Sequence, residues 1–224
     1  MDPILTITSV EQDKKKKQRY HLFVNDGRDP FTSVHEDLLI KFRLFKGREI
    51  DADELKQILN EDSEHRAYVL ALAYLGARQR TEKEIVRYLA KKELEEGAVR
   101  KAIERLKREG LVNDSVYAEL YAAQRMRSQS KGRRLLQQEL LQRGIKRDTA
   151  KEAASKLNEE SETEVAVNAA IKKWPHLKGE ERERKHKLAA FLLRRGFPSA
   201  AVREAVKTAA QSELEDEDGH MLDN

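Results

Sequence analysis

Apolar positions recur along this chain with helical spacing, and the recurrence itself repeats. Residues 86–106 read VRYLAKKELEEGAVRKAIERL. Residues 137–157 read QQELLQRGIKRDTAKEAASKL, and residues 189–209 read AAFLLRRGFPSAAVREAVKTA. In this register Leu89, Leu140 and Leu192 coincide, as do Leu94, Ile145 and Phe197, then Val99, Ala150 and Val202. Ala102, Ala153 and Ala205 follow, with Ile103, Ala154 and Val206 next to them. Positions related as i, i+3, i+4 lie on one face of a helix. The unit is therefore helix, short bend, helix, with an apolar plug at the bend, and a sequence built from such units predicts a repeat architecture.

The segment before the repeats has the opposite periodicity. Residues 4–10 alternate and are β-branched, residues 19–24 do the same, and the charged stretch EQDKKKKQ between them cannot enter a core. This pattern predicts a β-hairpin with an exposed basic loop, and residues 30–34 allow a third short strand. The run Lys14, Lys15, Lys16, Lys17 reads either as a solvated turn or as a phosphate contact. A helix is expected from His35 or Glu36, with Leu38, Leu39, Phe42 and Phe45 on one face and Lys46-Gly47 closing it. Asp51 or Asp53 caps the next helix, carrying Leu55, Ile58 and Leu59. The pattern leaves open whether that helix breaks near residues 60–63.

Helical units follow from about Glu64. In the first, an apolar helix spans residues 67–75, and Thr81-x-x-Glu84 is a capping box for the second helix. The third helix runs over residues 97–109 to Gly110, and Asn113 or Asp114 caps the next. The second unit has helices over residues 116–127 and 133–143, a stop at Gly144, and a short helix capped by Asp148 or Thr149. The third starts at the capping box Ser161-x-x-Glu164. Its first helix stops at Trp174-Pro175, its second spans residues 182–195, and its last fades by Gln211. The expected organisation is thus 1–62 as a hairpin-and-helix extension, 63–112, 113–160 and 161–210 as three-helix repeats, and 211–224 as an acidic, disordered tail.

Composition sharpens this picture. Charged residues make up 38% and hydrophobic ones 39%, with 10 glycines and 4 prolines, which suits solvated helices with narrow apolar stripes. There is no cysteine, so disulfides and thiolate metal sites are excluded and a reducing, cytoplasmic setting is expected. No apolar run approaches the roughly 20 residues of a membrane span, and the first residues do not form a signal peptide.

The formal charge of +4 hides a strong asymmetry. Residues 125–147 carry eight basic side chains against the single acid Glu139, whereas residues 211–224 carry six acids and no Lys or Arg. Such a middle suits an anionic partner, with the tail a competitor for the same surface.

Catalytic signatures are missing: no phosphate loop, GxGxxG, nucleophile elbow or HExxH is present. The six histidines are scattered without i, i+4 pairing, so no metal site and no cofactor are expected. The chemistry lies in the basic clusters. Arg78 and Arg80 precede a helix along which Lys83, Arg87 and Lys91 share one face. Arg125, Arg127, Lys131, Arg133 and Arg134 gather around the loop SQSKG, and Arg143, Lys146 and Arg147 extend the patch. A small polar loop opening a helix favours an anion through free amides and the helix dipole. Pairing of some arginines with Glu119 or Glu139 is the competing reading. The tyrosines Tyr68, Tyr74, Tyr88, Tyr117 and Tyr121 fall within apolar helix patterns and read as packing residues.

The LLQRGI and LLRRGF bends, the KREGLVND connector and the segment DSVYAELYAAQRMRSQSKGRR resemble the RecX regulatory family. The resemblance covers residues 66–210 and is most specific over 110–145, and the N-terminal hairpin and helix look like the extension of that family's longer members. It implies a mainly α fold, an elongated, curved array of three tandem three-helix repeats resembling helix-turn-helix units. It also implies a monomeric, non-enzymatic protein that binds the RecA recombinase filament on single-stranded DNA. There it would restrain ATPase and strand exchange in recombination and repair, with DNA contacts besides. Reading the units as unspecific DNA-binding modules is the alternative. One position departs from the pattern: Glu93 stands where the other copies have Gly144 and Gly196, which predicts a less sharply broken helix at the first bend.

Overall fold

The structure, a computed structural model, describes the backbone of residues 4–221 and the side chains of residues 4–212. The chain forms two compact units, one of residues 1–80 with 85–112 and one of residues 81–84 with 113–224.

The first unit opens with strands β1 (Leu5–Gln12), β2 (Arg19–Val24) and β3 (Thr32–His35), then helix α1 (Glu36–Lys41) and the short strand β4 (Glu49–Ile50). They form one antiparallel sheet in the order β3-β2-β1-β4. The predicted hairpin and third strand are present; β4, two residues long, carries too little periodicity to be foreseen. Ile7, Leu22, Val34, Leu39, Leu44 and Ile50 fill the core under the sheet. Helix α1 ends earlier than its apolar stripe suggests. Arg43 takes a left-handed conformation (φ 51°), which buries Leu44 and leaves Phe45 exposed.

Helix α2 (Ala52–Gly76) runs unbroken for 25 residues, so the boundary expected at 62/63 falls inside it. Asp51, not Asp53, is its cap, accepting from the Glu54 amide at 2.7 Å. Asp62 explains the continuity. It is buried, accepts from the Arg19 guanidinium at 2.7 Å and from the His35 amide at 2.8 Å, and so ties the middle of α2 to β2 and β3. Downstream, Ala67 and Ala71 of α2 pack with Ile85 and Leu89 of α3 (Glu82–Ala90) and with Val99, Ala102, Ile103 and Leu106 of α4 (Glu96–Arg108).

The second unit contains α5 (Asp114–Gln129), α6 (Arg133–Gln142), α7 (Arg147–Ser155), α8 (Glu159–Lys173), a 3-10 turn (Trp174–His176), α9 (Glu181–Arg194) and α10 (Ser199–Met221). The aligned stripe positions form its cores. Leu140, Ile145, Ala150 and Ala153 pack under Tyr117 and Ala118, and Leu192, Phe197, Val202 and Ala205 pack with Ala166, Ala170 and Trp174. Each fully buried leucine of this kind stabilises the fold by about 1.5–3 kcal/mol.

The capping box at Thr81 forms as predicted: the Glu84 amide donates to Thr81 Oγ1 and the Thr81 amide to Glu84 Oε2, both at 3.2 Å. Asn113 caps α5, while Asp114 Oδ1 accepts from the Glu82 amide at 2.9 Å and so caps α3 instead. Two expected caps are replaced. Asn158, three residues upstream, receives the Ser161 amide and starts α8, and α7 starts after Lys146 with no side-chain cap. Helix α10 continues through Met221, past the Gln211 where its stripe fades; a formed helix adds one hydrogen bond per residue and no proline stops it. Residues 222–224 of the expected disordered tail lie outside the described residues.

All three aligned bends contain a left-handed residue: Glu93 (φ 57°), Gly144 (φ 91°) and Gly196 (φ 85°). The first bend is therefore broken by the same backbone conformation as the others. Gly144 and Gly196 close Schellman motifs, with Ile145 N–H donating to Leu140 O at 3.0 Å and Phe197 N–H to Leu192 O at 3.3 Å. Gly196 is also constrained by its surroundings. A Cβ there would lie 2.3 Å from the Leu135 amide nitrogen, and one on Gly132 would lie 2.4 Å from the Gly196 carbonyl. The two glycines let backbone pack on backbone, with Gly132 N–H donating to Arg195 O at 2.8 Å and Arg134 N–H to Gly196 O at 3.2 Å.

Glu93→Gly removes the left-handed penalty without removing a packed group, and is expected to stabilise the protein by about 0.5–1 kcal/mol, seen as a higher urea midpoint. Gly196→Ala adds both the φ penalty and a backbone clash. It is expected to destabilise by about 2 kcal/mol or more, measured in the same titration.

Candidate binding surfaces

The basic cluster of the second unit divides into side chains used within the fold and side chains left facing solvent. Tyr121 lies between two guanidinium groups, with Arg125 5.3 Å and Arg143 4.8 Å from its ring centroid. Its hydroxyl donates to Glu139 Oε2 at 2.9 Å, and Glu139 Oε1 accepts from Lys131 at 2.5 Å. Arg143 also donates to Glu84 Oε1 at 2.8 Å. Burial works against the charge on Arg143, but Tyr121, Tyr117 and Glu84 outweigh it and hold its pKa above the usual value. Glu119, the other acid considered from sequence, pairs with Lys156.

The start of α6 differs from the open anion cradle that the SQSKG loop suggests. Its anion is the protein's own Glu162, a carboxylate 1% exposed. Glu162 accepts from the Arg133 amide at 2.7 Å and from Arg133 Nε at 2.5 Å, and Glu159 accepts from Arg133 Nη1 at 3.1 Å. Arg133 is desolvated, yet these two carboxylates raise its pKa above normal. Ser130 takes the left-handed conformation, and Arg195 donates to the carbonyls of Gln129 and Ser130 at 2.6 and 3.2 Å. The loop is thus held from both sides.

Arg127, Arg134, Lys146 and Arg147 are exposed and form no ion pair with a described residue. Arg127 borders a shallow groove of about 530 Å³ with Leu120 and Ala123. On the same helix Val116 is 49% and Leu120 53% exposed. Helical spacing aligns Val116, Leu120 and Arg127 as a solvent-facing stripe on α5.

The cations around α3 also separate. Arg80 stacks on Tyr74 at 4.0 Å, Tyr74 stacks on Tyr88 at 4.1 Å, and Lys92 approaches the far ring at 5.7 Å. Arg80 therefore serves packing. Arg78, Arg87 and Lys91 are exposed in the first unit. Lys83 belongs to the second, where it lies against Gly144.

A further basic surface went unseen in the sequence. In the first unit a groove of about 720 Å³ is lined by Lys16, Lys17, Arg19, Arg66 and Lys92, with no acid among its lining residues. Only the lysine run hinted at it. Asp13 fixes that loop by accepting from the amides of Lys15 and Lys16, and these bonds hold its carboxyl below the usual range. Among the described residues, one group has metal-ligating character: His35, Asp37 and His65. No described helix is long and apolar enough to cross a membrane.

Comparison with known proteins returns matches along most of the chain. Residues 5–51 match the family model described as the regulatory protein RecX N-terminal domain. Residues 67–106, 113–153 and 159–206 match the first, second and third three-helix domains of RecX. The regulatory protein RecX of Halalkalibacterium halodurans is 34% identical, across 96% of this chain and 82% of its own. That of Oceanobacillus iheyensis is 32% identical, across 96% and 81%. A crystal structure of regulatory protein RecX superposes with a TM-score of 0.71 at 29% identity, covering 91% of this chain and 98% of that one. A crystal structure of RecX from Lactobacillus salivarius gives 0.62 at 26% identity, over 66% and 97%. With family models matching most of the chain and relatives 34% and 32% identical along 96% of it, this chain belongs to the RecX family of regulatory proteins.

Proposed function

We propose that this protein is a non-catalytic regulator acting in the cytoplasm. It binds the RecA recombinase filament and restrains its ATPase and strand exchange, so limiting recombination and repair. Membership of the RecX family supports the regulatory part of this reading. The observation that carries the protein-binding part is the stripe Val116, Leu120 and Arg127 on α5. Exposed branched apolar side chains next to an unpaired arginine suit a protein partner better than a phosphate backbone, because they gain from desolvation as well as charge. Arg134, Lys146 and Arg147 add an electrostatic surface that speeds encounter with an acidic, DNA-containing filament. Contacts by several repeats with successive filament subunits would sum through effective concentration. The protein is a monomer in this reading.

Unspecific DNA binding is the second reading, and the acid-free groove of the first unit favours it. With Arg19 held by Asp62, Lys16, Lys17, Arg66 and Lys92 around one groove neutralise backbone phosphates without reading bases. The two readings place their contacts on different side chains.

Leu120→Ala combined with Arg127→Glu is expected to raise at least tenfold the protein concentration that half-inhibits the recombinase's DNA-dependent ATPase, with helicity unchanged by circular dichroism. Undiminished inhibition by this variant would remove the α5 stripe from the interface. Lys16→Glu with Lys92→Glu is expected to weaken binding to bare DNA and to lower the slope of log K against log salt by about 2, read by fluorescence anisotropy across a salt series.

A further inference from the structure

His35 and Asp37 are two positions apart, and His65, 28 positions beyond Asp37, meets them in the fold. His35 precedes α1 as its cap, Asp37 is in the first turn of α1, and His65 lies on α2 beyond Asp62. Asp62 accepts from the His35 amide at 2.8 Å, which sets where the His35 ring stands beside α2. The two imidazole rings are 4.2 Å apart between centroids. Asp37 Oδ2 lies 3.4 Å from His35 Nδ1 and 3.9 Å from His65 Nε2. All three ligand atoms fall within 4.8 Å of one another.

One detail points to a missing partner: His65 Nε2 is buried and has no hydrogen-bond partner. His35 Nδ1 accepts the Asp37 amide at 3.2 Å, so an ion at Nδ1 would take the lone pair that now caps α1. A buried polar atom without a partner is uncommon enough to require an explanation.

We propose that His35 Nδ1, His65 Nε2 and Asp37 Oδ2 form a binding site for a divalent transition-metal ion of the zinc class, with a fourth position open to solvent. Two neutral imidazoles and one carboxylate suit such an ion and do not suit magnesium or calcium, which take oxygen ligands. Metal–ligand distances of about 2.0–2.1 Å in a tetrahedron require ligand atoms about 3.4 Å apart. The present spacings, 3.4 and 3.9 Å to Asp37 Oδ2 and within 4.8 Å overall, are somewhat wider than this. Asp37 is well exposed (66% for its side chain) and provides the entry path, while Asp62 supports the His35 backbone from behind. Lys41, Lys101 and Arg105 are paired with Glu61, Glu64 and Glu109, whereas Lys16, Lys17, Arg66 and Lys92 line a groove that both histidines border, so the three ligands must outweigh their repulsion. A bound ion would fasten β3 and α1 to the long helix α2 within the first unit.

The test uses the full chain stripped with a chelator and titrated with Zn²⁺ by calorimetry and with Co²⁺ by visible absorption at pH 7.5. One ion per chain is expected, with intense Co²⁺ bands between about 500 and 650 nm from a low-symmetry four-coordinate site. His65→Gln and His35→Asn, the latter keeping a capping side chain, are each expected to weaken binding at least roughly tenfold. Asp37→Asn, at an exposed position that does not threaten folding, is expected to do the same. His21→Gln serves as the control and leaves binding unchanged. Failure of the wild-type chain to bind Zn²⁺ or to show the Co²⁺ bands overturns the proposal, as does wild-type affinity in Asp37→Asn.

Discussion

One left-handed residue at a helix end, followed by an apolar residue that turns back inward, is the constraint on which this architecture depends. It occurs at Arg43–Leu44, Glu93–Leu94, Gly144–Ile145 and Gly196–Phe197. In three of these the second residue's N–H reaches back five positions to a carbonyl, with Leu44 to Leu39 at 2.9 Å, Ile145 to Leu140 and Phe197 to Leu192. The backbone reversal and the apolar plug are one event, because the bond that satisfies the orphan carbonyl also delivers the side chain into the core. The following helix then starts at a fixed angle and buries its own stripe. The three-helix unit thus rests on a conformation that most L-residues disfavour, and it tolerates arginine or glutamate where no neighbouring backbone crowds the position.

Much of this was readable from residue spacing. The stripes at Leu89, Leu140 and Leu192, the plugs at Leu94, Ile145 and Phe197, and the Thr81 box are local signals, each decided within a few residues. What escaped were decisions made across distance. Asp62 reads as one more solvent-facing acid on a helix, but its partners are 43 and 27 positions away. Asp114 reads as a cap for its own helix, yet serves the amide of Glu82, 32 positions earlier. Glu93 reads as helix-favouring, because propensity says nothing about a bend imposed by the packing on either side of it.

The same limit governs the electrostatics. Counting charges over residues 125–147 gives a strongly positive segment, and the segment is positive only in isolation. Glu84, Glu159 and Glu162 enter it from elsewhere and take Arg143 and Arg133, while Glu139 takes Lys131. Arginines stacked on Tyr121 and Tyr74 contribute mainly through their planar faces. The exterior therefore shows a smaller and more dispersed positive field than the sequence implies. Its notable features are the apolar positions left beside Arg127 and the groove that the lysine loop shares with Arg66 and Lys92.

Helix α2 is a member of two cores at once. Ile58 is buried under the sheet, Ala67 and Ala71 are buried against α3 and α4, and Asp62 joins the two stretches. Opening the small sheet would strip one face from a helix whose other half is still packed against the neighbouring core. Sharing this helix couples the stability of the two cores of this unit. An event at the sheet is thereby transmitted as helix stability over the length of α2, about 37 Å at 1.5 Å per residue.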